Sequence, residues 1–286
     1  SSRAEADADK AAAQVRTFGR ILALVEDNYV GKAKAEDLVE DAIQGMLHTL
    51  DPHSNYLDVE AFNEMAADIQ ASNRQLDERR RYVETLIAAL SGAAMVPRRV
   101  VYISTSGVYG DCGGAMVEET HPLHPQASRS IPRADAEHQI RSWARRNGVN
   151  ASILRVPGIY AADRLPLDRL RAGTPAILHE EDSYTGLIHA DDLARIVVAA
   201  LRHAQPNRIY HASDDSNMKM GEYFDCVADA FELPRPPRLP RAEVQRLVSP
   251  MLWSFLNESR QMTNRRVKRE LGVQLNYPSV KDALKS

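Results

Sequence analysis

The stretch Arg98-Arg-Val-Val-Tyr-Ile-Ser-Thr-Ser-Gly-Val-Tyr-Gly110 decides the fold. Val100 to Ile103 are β-branched or aromatic at every position, the pattern of a strand buried on both faces of a parallel sheet. Ser104 to Gly110 then read as the loop at the strand's C-terminal end. Ligands bind at that end in open α/β sheets, because backbone groups and small polar side chains face a crevice between crossovers. Composition alone is equally satisfied by a hydroxyl-rich turn that only stops the strand.

Toward the C-terminus, Ser152 to Val156 read as another buried strand, followed by the turn Pro157-Gly158. Asp191-Asp192 open a helix running through Leu193, Ile196, Val197, Ala200 and Leu201, and an acidic start suits the helix dipole without any catalytic role. Ile209 to Ala212 read as a third strand, and Tyr223, Phe224, Val227 and Phe231 as one helix face. Leu233-Pro-Arg-Pro-Pro-Arg-Leu-Pro240 reads as a stiff extended linker.

Toward the N-terminus the pattern is helical. Val15, Phe18, Leu22, Val25 and Tyr29 mark one amphipathic helix, and Leu38, Ala42, Ile43, Met46, Leu47 and Leu50 a second, ended by Asp51-Pro52. Phe62, Ile69, Leu76, Val83 and Leu90 then recur at a seven-residue spacing. Met65 and Leu86 occupy the companion positions while Ser72 and Arg79 interrupt that seam, giving a long helix of coiled-coil type. The expected organisation is a helical hairpin over 1–58, a heptad helix over 59–93 and a partial Rossmann-like α/β domain with a parallel sheet over 94–286.

The 286 residues are 44% hydrophobic and 26% charged, as in an ordinary globular protein. A net charge of -3 supplies no basic surface for nucleic acid. No apolar run has the length of a membrane helix. Cys112 and Cys226 stand far apart in no metal or redox spacing, which fits a reducing, cytoplasmic setting. His121, His124, His138 and His211 share no metal-site spacing, so no metal is expected. The chain starts at Ser1 without Met, which leaves room for an upstream segment.

Three family likenesses run along the chain. From about Val96 onward, the opening stretch, Glu118-Glu-Thr120, Ser152-Ile-Leu-Arg-Val-Pro-Gly-Ile-Tyr160, Ile188-His-Ala-Asp-Asp-Leu-Ala194 and Ile209-Tyr-His-Ala-Ser-Asp-Asp215 resemble extended short-chain dehydrogenase/reductases, the NAD-dependent epimerase/dehydratase group, and bacterial members above all. Val15 to Asp58, with Leu50-Asp-Pro-His-Ser54, is similar to the leader region of carboxyl-terminal processing serine peptidases; the PDZ and catalytic domains of that family do not follow, so no peptidase site is carried over. Phe62 to Leu90 is similar to the helix beside the HAMP region of nitrogen-regulation sensor histidine kinases. The chain therefore reads as a composite.

The first resemblance implies NAD or NADP as cofactor, a small-molecule substrate and hydride-transfer chemistry. It also implies a Gly-x-x-Gly-x-x-Gly turn, whose close backbone and helix N-terminus hold the pyrophosphate. None is found: Asp111-Cys-Gly-Gly114 follows the wrong strand and Gly92-Ala-Ala lacks the spacing. Family members use a Ser or Thr and a Tyr-x-x-x-Lys pair, in which the Tyr exchanges the proton and the Lys lowers the Tyr pKa and holds the ribose. By register Thr105 takes the first place, Arg129 stands where the Tyr is expected and Arg133 where the Lys is expected. A guanidinium stays protonated and cannot replace the Tyr.

The resemblance thus assigns Thr105 and Arg133 to catalysis, and Thr105, Arg133 and Pro157 to the cofactor. The expected function is an epimerase/dehydratase-like protein with impaired chemistry. The alternative is a helical interaction protein that forms homo-oligomers through Phe62 to Leu90, and a peptidase fragment comes last. The strand Val100 to Ile103 is expected to have an unpaired apolar edge that something must cover.

Overall fold

The computed structural model describes residues 81–93 and 95–285. The chain divides into two compact units, Ser1–Ala71 and Ser72–Ser286, and the described residues belong to the second. The helical hairpin expected over 1–58 and most of the heptad stretch lie outside the described residues.

The described part of the second unit has a helix over residues 81–92 (α1), then strand β1 (Arg99–Thr105), helix α2 (Ile131–Arg146), strands β2 (Asn150–Val156) and β3 (Gly158–Tyr160), and a short helix α3 (Leu167–Arg171). Strand β4 (Leu187–His189), helix α4 (Ala190–His203), strand β5 (Arg208–His211) and helix α5 (Met220–Ala230) follow. Helices α6 (Arg241–Leu247), α7 (Pro250–Leu256) and α8 (Arg265–Leu271) complete the parts used below. Strands β1, β2 and β5 form a parallel sheet in that order. The fold is α/β with Rossmann-like parallel strands, as the sequence predicts.

Side-chain alternation sorts the two faces. Val100 and Tyr102 of β1 and Ala151 of β2 face α2, where Ile140 and Trp143 are buried. Leu154, Val156 and Tyr210 face the other way, against Leu193 and Ile196 of α4 and Val267 and Leu271 of α8. A further apolar cluster, beyond the sheet's C-terminal end, gathers Tyr160, Leu170, Ile177, Tyr223, Phe224 and Leu256. The proline-rich linker does more than connect: Arg238 and Leu239 pair in parallel with Ala176 and Ile177.

Two expectations change. Burial on both faces belongs to β2, which is buried from Ala151 to Val156, and not to β1, which is half-buried with Ile103 at 41% exposure. The reason is position, since β1 is the sheet edge among the described residues. Asn150 N–H donates to Arg98 O, so the alternation of a strand turns the backbone groups of Arg99, Val101 and Ile103 outward. Arg133 Nη1 donates to Ile103 O at 3.2 Å and covers one of them. The second change concerns the heptad. Val83, Ile87 and Leu90 of α1 pack against the α2 cluster, and Trp143 Nε1 donates to Ser91 Oγ at 2.8 Å, while Leu86 is exposed. This end of the heptad stretch covers a face of the α/β unit.

The pairing register sets Ser104 beside Arg155 and Arg155 beside His211, one residue from each strand. Arg155 and Glu137 of α2 form an ion pair, each 2% exposed, with Nη2 2.8 Å from Oε2. Ser104 Oγ donates to Glu137 Oε1 at 2.6 Å. Removing one partner of such a pair leaves a desolvated charge. Arg155→Ala is therefore expected to lower unfolding stability by about 3–5 kcal/mol. Arg155→Met with Glu137→Leu should recover much of that loss. Urea unfolding of the wild type, the single and the double variant measures both effects.

Candidate functional site

The loop after β1 makes a single 3-10 turn over Ser106–Tyr109. Thr105 Oγ1 accepts from Gly107 N at 3.2 Å and so caps that turn. Gly110 has a φ of +67°, and a Cβ there would lie 2.2 Å from His124 O, so both conformation and space demand glycine. The turn brings Ser106 to a cavity of about 460 Å³. Pro157, between β2 and β3, lines the same cavity, as do Arg129, Arg164, Arg169, Glu258 and Arg260.

Of the residues that the sequence assigns to the site, Pro157 is in the cavity wall and Thr105 and Arg133 are not. Thr105 holds the turn together. Arg133, in the first turn of α2, donates to the Tyr102 hydroxyl at 3.0 Å and to Ile103 O, at the outer edge of β1. One nitrogen of its guanidinium, Nη1, is thus used by the strand.

Arg129 does reach the cavity, and it is tied down there. Its Nη1 donates to Ser254 Oγ at 2.8 Å, its Nη2 to Ser254 O at 2.9 Å, and its guanidinium lies 3.6 Å from the Phe255 ring centroid, all on α7. Glu258 Oε2 stands 3.8 Å away. Burial lowers the Arg129 pKa and Glu258 opposes that effect. Arg260 Nη1 donates to Glu258 Oε2 at 2.9 Å and to Gly110 O at 2.7 Å, which fastens the loop after β1 to the same carboxylate.

Tyr109 is the tyrosine nearest in sequence to the expected proton donor, and it is buried elsewhere. Its hydroxyl accepts from Arg155 Nη1 at 2.6 Å and lies 2.6 Å from His211 Nε2. His211 Nδ1 faces Thr263 O at 3.0 Å, so Nδ1 carries the proton and Nε2 accepts from Tyr109. Burial pushes the Tyr109 pKa up to about 12, against the opposing Arg155 cation. Such a group does not exchange protons with a substrate near neutrality.

Sequence reasoning missed most of the cavity wall, including Tyr184, Tyr223, Phe255, Glu258 and Arg260. The available signal was the density of arginine in Asp163-Arg-Leu-Pro-Leu-Asp-Arg-Leu-Arg171, two of which reach the cavity.

With this geometry in place, comparison with known proteins is informative. Residues 40–213 match the NAD dependent epimerase/dehydratase family. The chain belongs to that family. Residues 1–61 match the N-terminal domain of the activating protease CtpB, and the two ranges overlap over 40–61, so the chain joins likenesses to two families. A Methanocaldococcus jannaschii protein assigned by name as a UDP-glucose 4-epimerase is 23% identical over 194 residues, 62% of this chain. The match covers 63% of that relative's length. A solved structure of a functionally unknown conserved protein from Silicibacter pomeroyi is 30% identical with a TM-score of 0.61, covering 71% of this chain and 68% of that one. A human epimerase family protein solved with NADPH has a TM-score of 0.64 at 21% identity, covering 76% and 74% of the two chains, and shares the fold.

The residues present do not fit the dinucleotide in the family manner. Arg133 is committed to β1. Before residue 81 the sequence holds Gly19, Gly31 and Gly45, too widely spaced for a pyrophosphate turn.

The histidine generates a pH prediction. Burial, reinforced by the Arg155 and Arg266 cations, lowers the His211 pKa to about 3. An unfolded histidine takes up its proton near about pH 6.5. Between these values the unfolded chain binds the proton and the folded chain does not, so the contribution of His211 to stability is full above about pH 6.5 and falls as pH drops. Asp214, raised to about 7 mainly by burial, has the opposite sign over an overlapping range. The comparison that isolates His211 is a melting series from pH 7.5 to about 4.5 on the wild type and His211→Gln. The wild type should lose more of its Tm across the acid half of the series than the variant does.

Proposed function

We propose that this family member keeps a small-molecule binding site at the C-terminal end of the sheet and performs no hydride transfer there. The observation that carries the reading is the commitment of Arg129. It stands where the proton-exchanging tyrosine is expected, it is a permanent cation, and two of its donors go to Ser254 and its face to Phe255. Tyr109 does not replace it, because its hydroxyl is held between Arg155 and His211 inside the protein. Pro157 and Ser106 still face the cavity, so the binding half of the site has its walls while the proton-transfer half has lost its group.

The reading is tested by melting the purified chain with and without NAD(H) and NADP(H). A ligand at a hundredfold excess over its Kd stabilises the folded state by about 2.7 kcal/mol, which raises the midpoint of a unit of this size by roughly 5–10 °C. The expected outcome is a cooperative melt with no shift from either cofactor. A shift of that size, or oxidation of reduced cofactor by a carbonyl substrate, overturns the reading. Arg129→Tyr combined with Arg133→Lys is expected to stay inactive in the same assay, because restoring two side chains does not restore a cofactor turn.

A further inference from the structure

The chemistry of the cavity wall is narrower than its size. Four arginines, Arg129, Arg164, Arg169 and Arg260, line it against one carboxylate, Glu258. The rest of the wall is mostly apolar, with Phe224, Phe255, Leu187 and Met220 among its members. Its neutral polar side chains are the hydroxyls of Ser106, Tyr184, Thr185 and Tyr223, and among the described residues no Asn, Gln, Asp, His or Lys lines it. A polyol needs acceptors as well as donors placed on its hydroxyls, and a wall rich in guanidinium donors with a single carboxylate suits an anion better.

The positive charges are not all neutralised within the protein. Arg164 is exposed at the cavity, and its guanidinium makes no hydrogen bond or ion pair to any described residue. Arg169 stacks its guanidinium 4.1 Å from the Phe224 ring centroid and donates Nη2 to Pro175 O at 2.6 Å, while its buried Nε and Nη1 have no hydrogen-bond partner. Burial lowers its pKa to about 10, and the Asp182 carboxylate opposes that shift without overcoming it. Beyond the cavity, the apolar surface continues: Phe255 is 50% exposed and Met251, one helical turn earlier on α7, is 75% exposed, with Leu247 of α6 exposed beside them in sequence.

We infer that the cavity takes an anion with an apolar body, a carboxylate or phosphate monoester on an aliphatic or aromatic frame, and not a nucleotide-linked sugar. Arg164 meets the anion, Arg169 supplies charge from behind the wall, and the body lies along Phe224, Leu187 and Phe255 toward Met251. This rests on the reading of the cavity as a binding site and adds the class of molecule that it binds.

The test is isothermal titration of the full chain with octanoate, octyl phosphate and UDP-glucose, repeated on Arg164→Ala and on Arg202→Ala, an exposed α4 residue outside the cavity. Octanoate or octyl phosphate should bind the wild type and Arg202→Ala equally, and Arg164→Ala about tenfold more weakly, the size expected from losing a charge-assisted hydrogen bond. Which of the two binds more tightly identifies the anion. Octyl ligands that bind Arg164→Ala as well as the wild type are adsorbing to apolar surface, and the inference fails. Tighter binding of UDP-glucose than of either octyl ligand overturns the inference and leaves the binding site standing. Binding of none of the three overturns both.

Discussion

The structure depends on one buried row of polar side chains. Ser104, Arg155 and His211 sit side by side on β1, β2 and β5 because the parallel register puts them there. Glu137 neutralises Arg155 from α2, and Tyr109 from the loop after β1 bridges Arg155 to His211. Each member satisfies a neighbour that burial would otherwise penalise. The row thereby fixes the strand order, the seating of α2 and the path of the loop that reaches the cavity. Apolar packing alone tolerates sliding between strands; a carboxylate and a guanidinium bonded to each other and to Ser104, Tyr109 and the Glu119 carbonyl do not.

The edge of the sheet is handled by the same economy of charge. β1 offers outward backbone groups and a half-exposed Ile103, and the arginine expected to serve a ribose lies across Tyr102 and the Ile103 carbonyl instead. A charged side chain on an edge strand discourages further strand addition. On the face of that edge, Val83, Ile87 and Leu90 of α1 shield Val100 and Tyr102. The heptad spacing located Val83 and Leu90 of this face but placed Leu86 on it, where the structure has Ile87 and leaves Leu86 exposed. Residues at i, i+4 and i+7 meet a sheet-bound helix as readily as a second coiled-coil strand.

Much of the fold was legible because strands β2 and β5 and helix α4 are marked by apolar runs and an acidic helix start that burial and the dipole require. The buried row was visible as motif and hidden as mechanism. Tyr109, Arg155 and His211 all fall inside the stretches that carry the family resemblance, yet Arg155 reads as an interruption of an apolar strand until the register places Glu137 beside it. Thr105 was legible as a hydroxyl after a strand, and its use as a turn cap is set by a backbone angle that composition does not encode. The cavity wall was least legible. Arg169, Tyr184, Phe255 and Glu258 come from distant segments with no shared spacing, and folding alone assembles them.

At Arg129, where the family resemblance leads one to expect a tyrosine, the charge of the side chain and the shape of the cavity are coupled. A tyrosine at that place can rest its ring on apolar neighbours and leave its hydroxyl free, whereas a guanidinium must find acceptors and a counter-charge when half-buried. Here it takes both from the segment around α7: the Ser254 hydroxyl and carbonyl, the Phe255 face and, at longer range, Glu258. That tether holds α7 against the loop that precedes α2, and Arg260 ties the same carboxylate to Gly110 on the loop after β1. The cation that cannot exchange a proton is thus the one that closes one side of the cavity. Returning a tyrosine to position 129 would free the Ser254 carbonyl and leave Glu258 to Arg260 alone, so the wall of the cavity would change along with its chemistry.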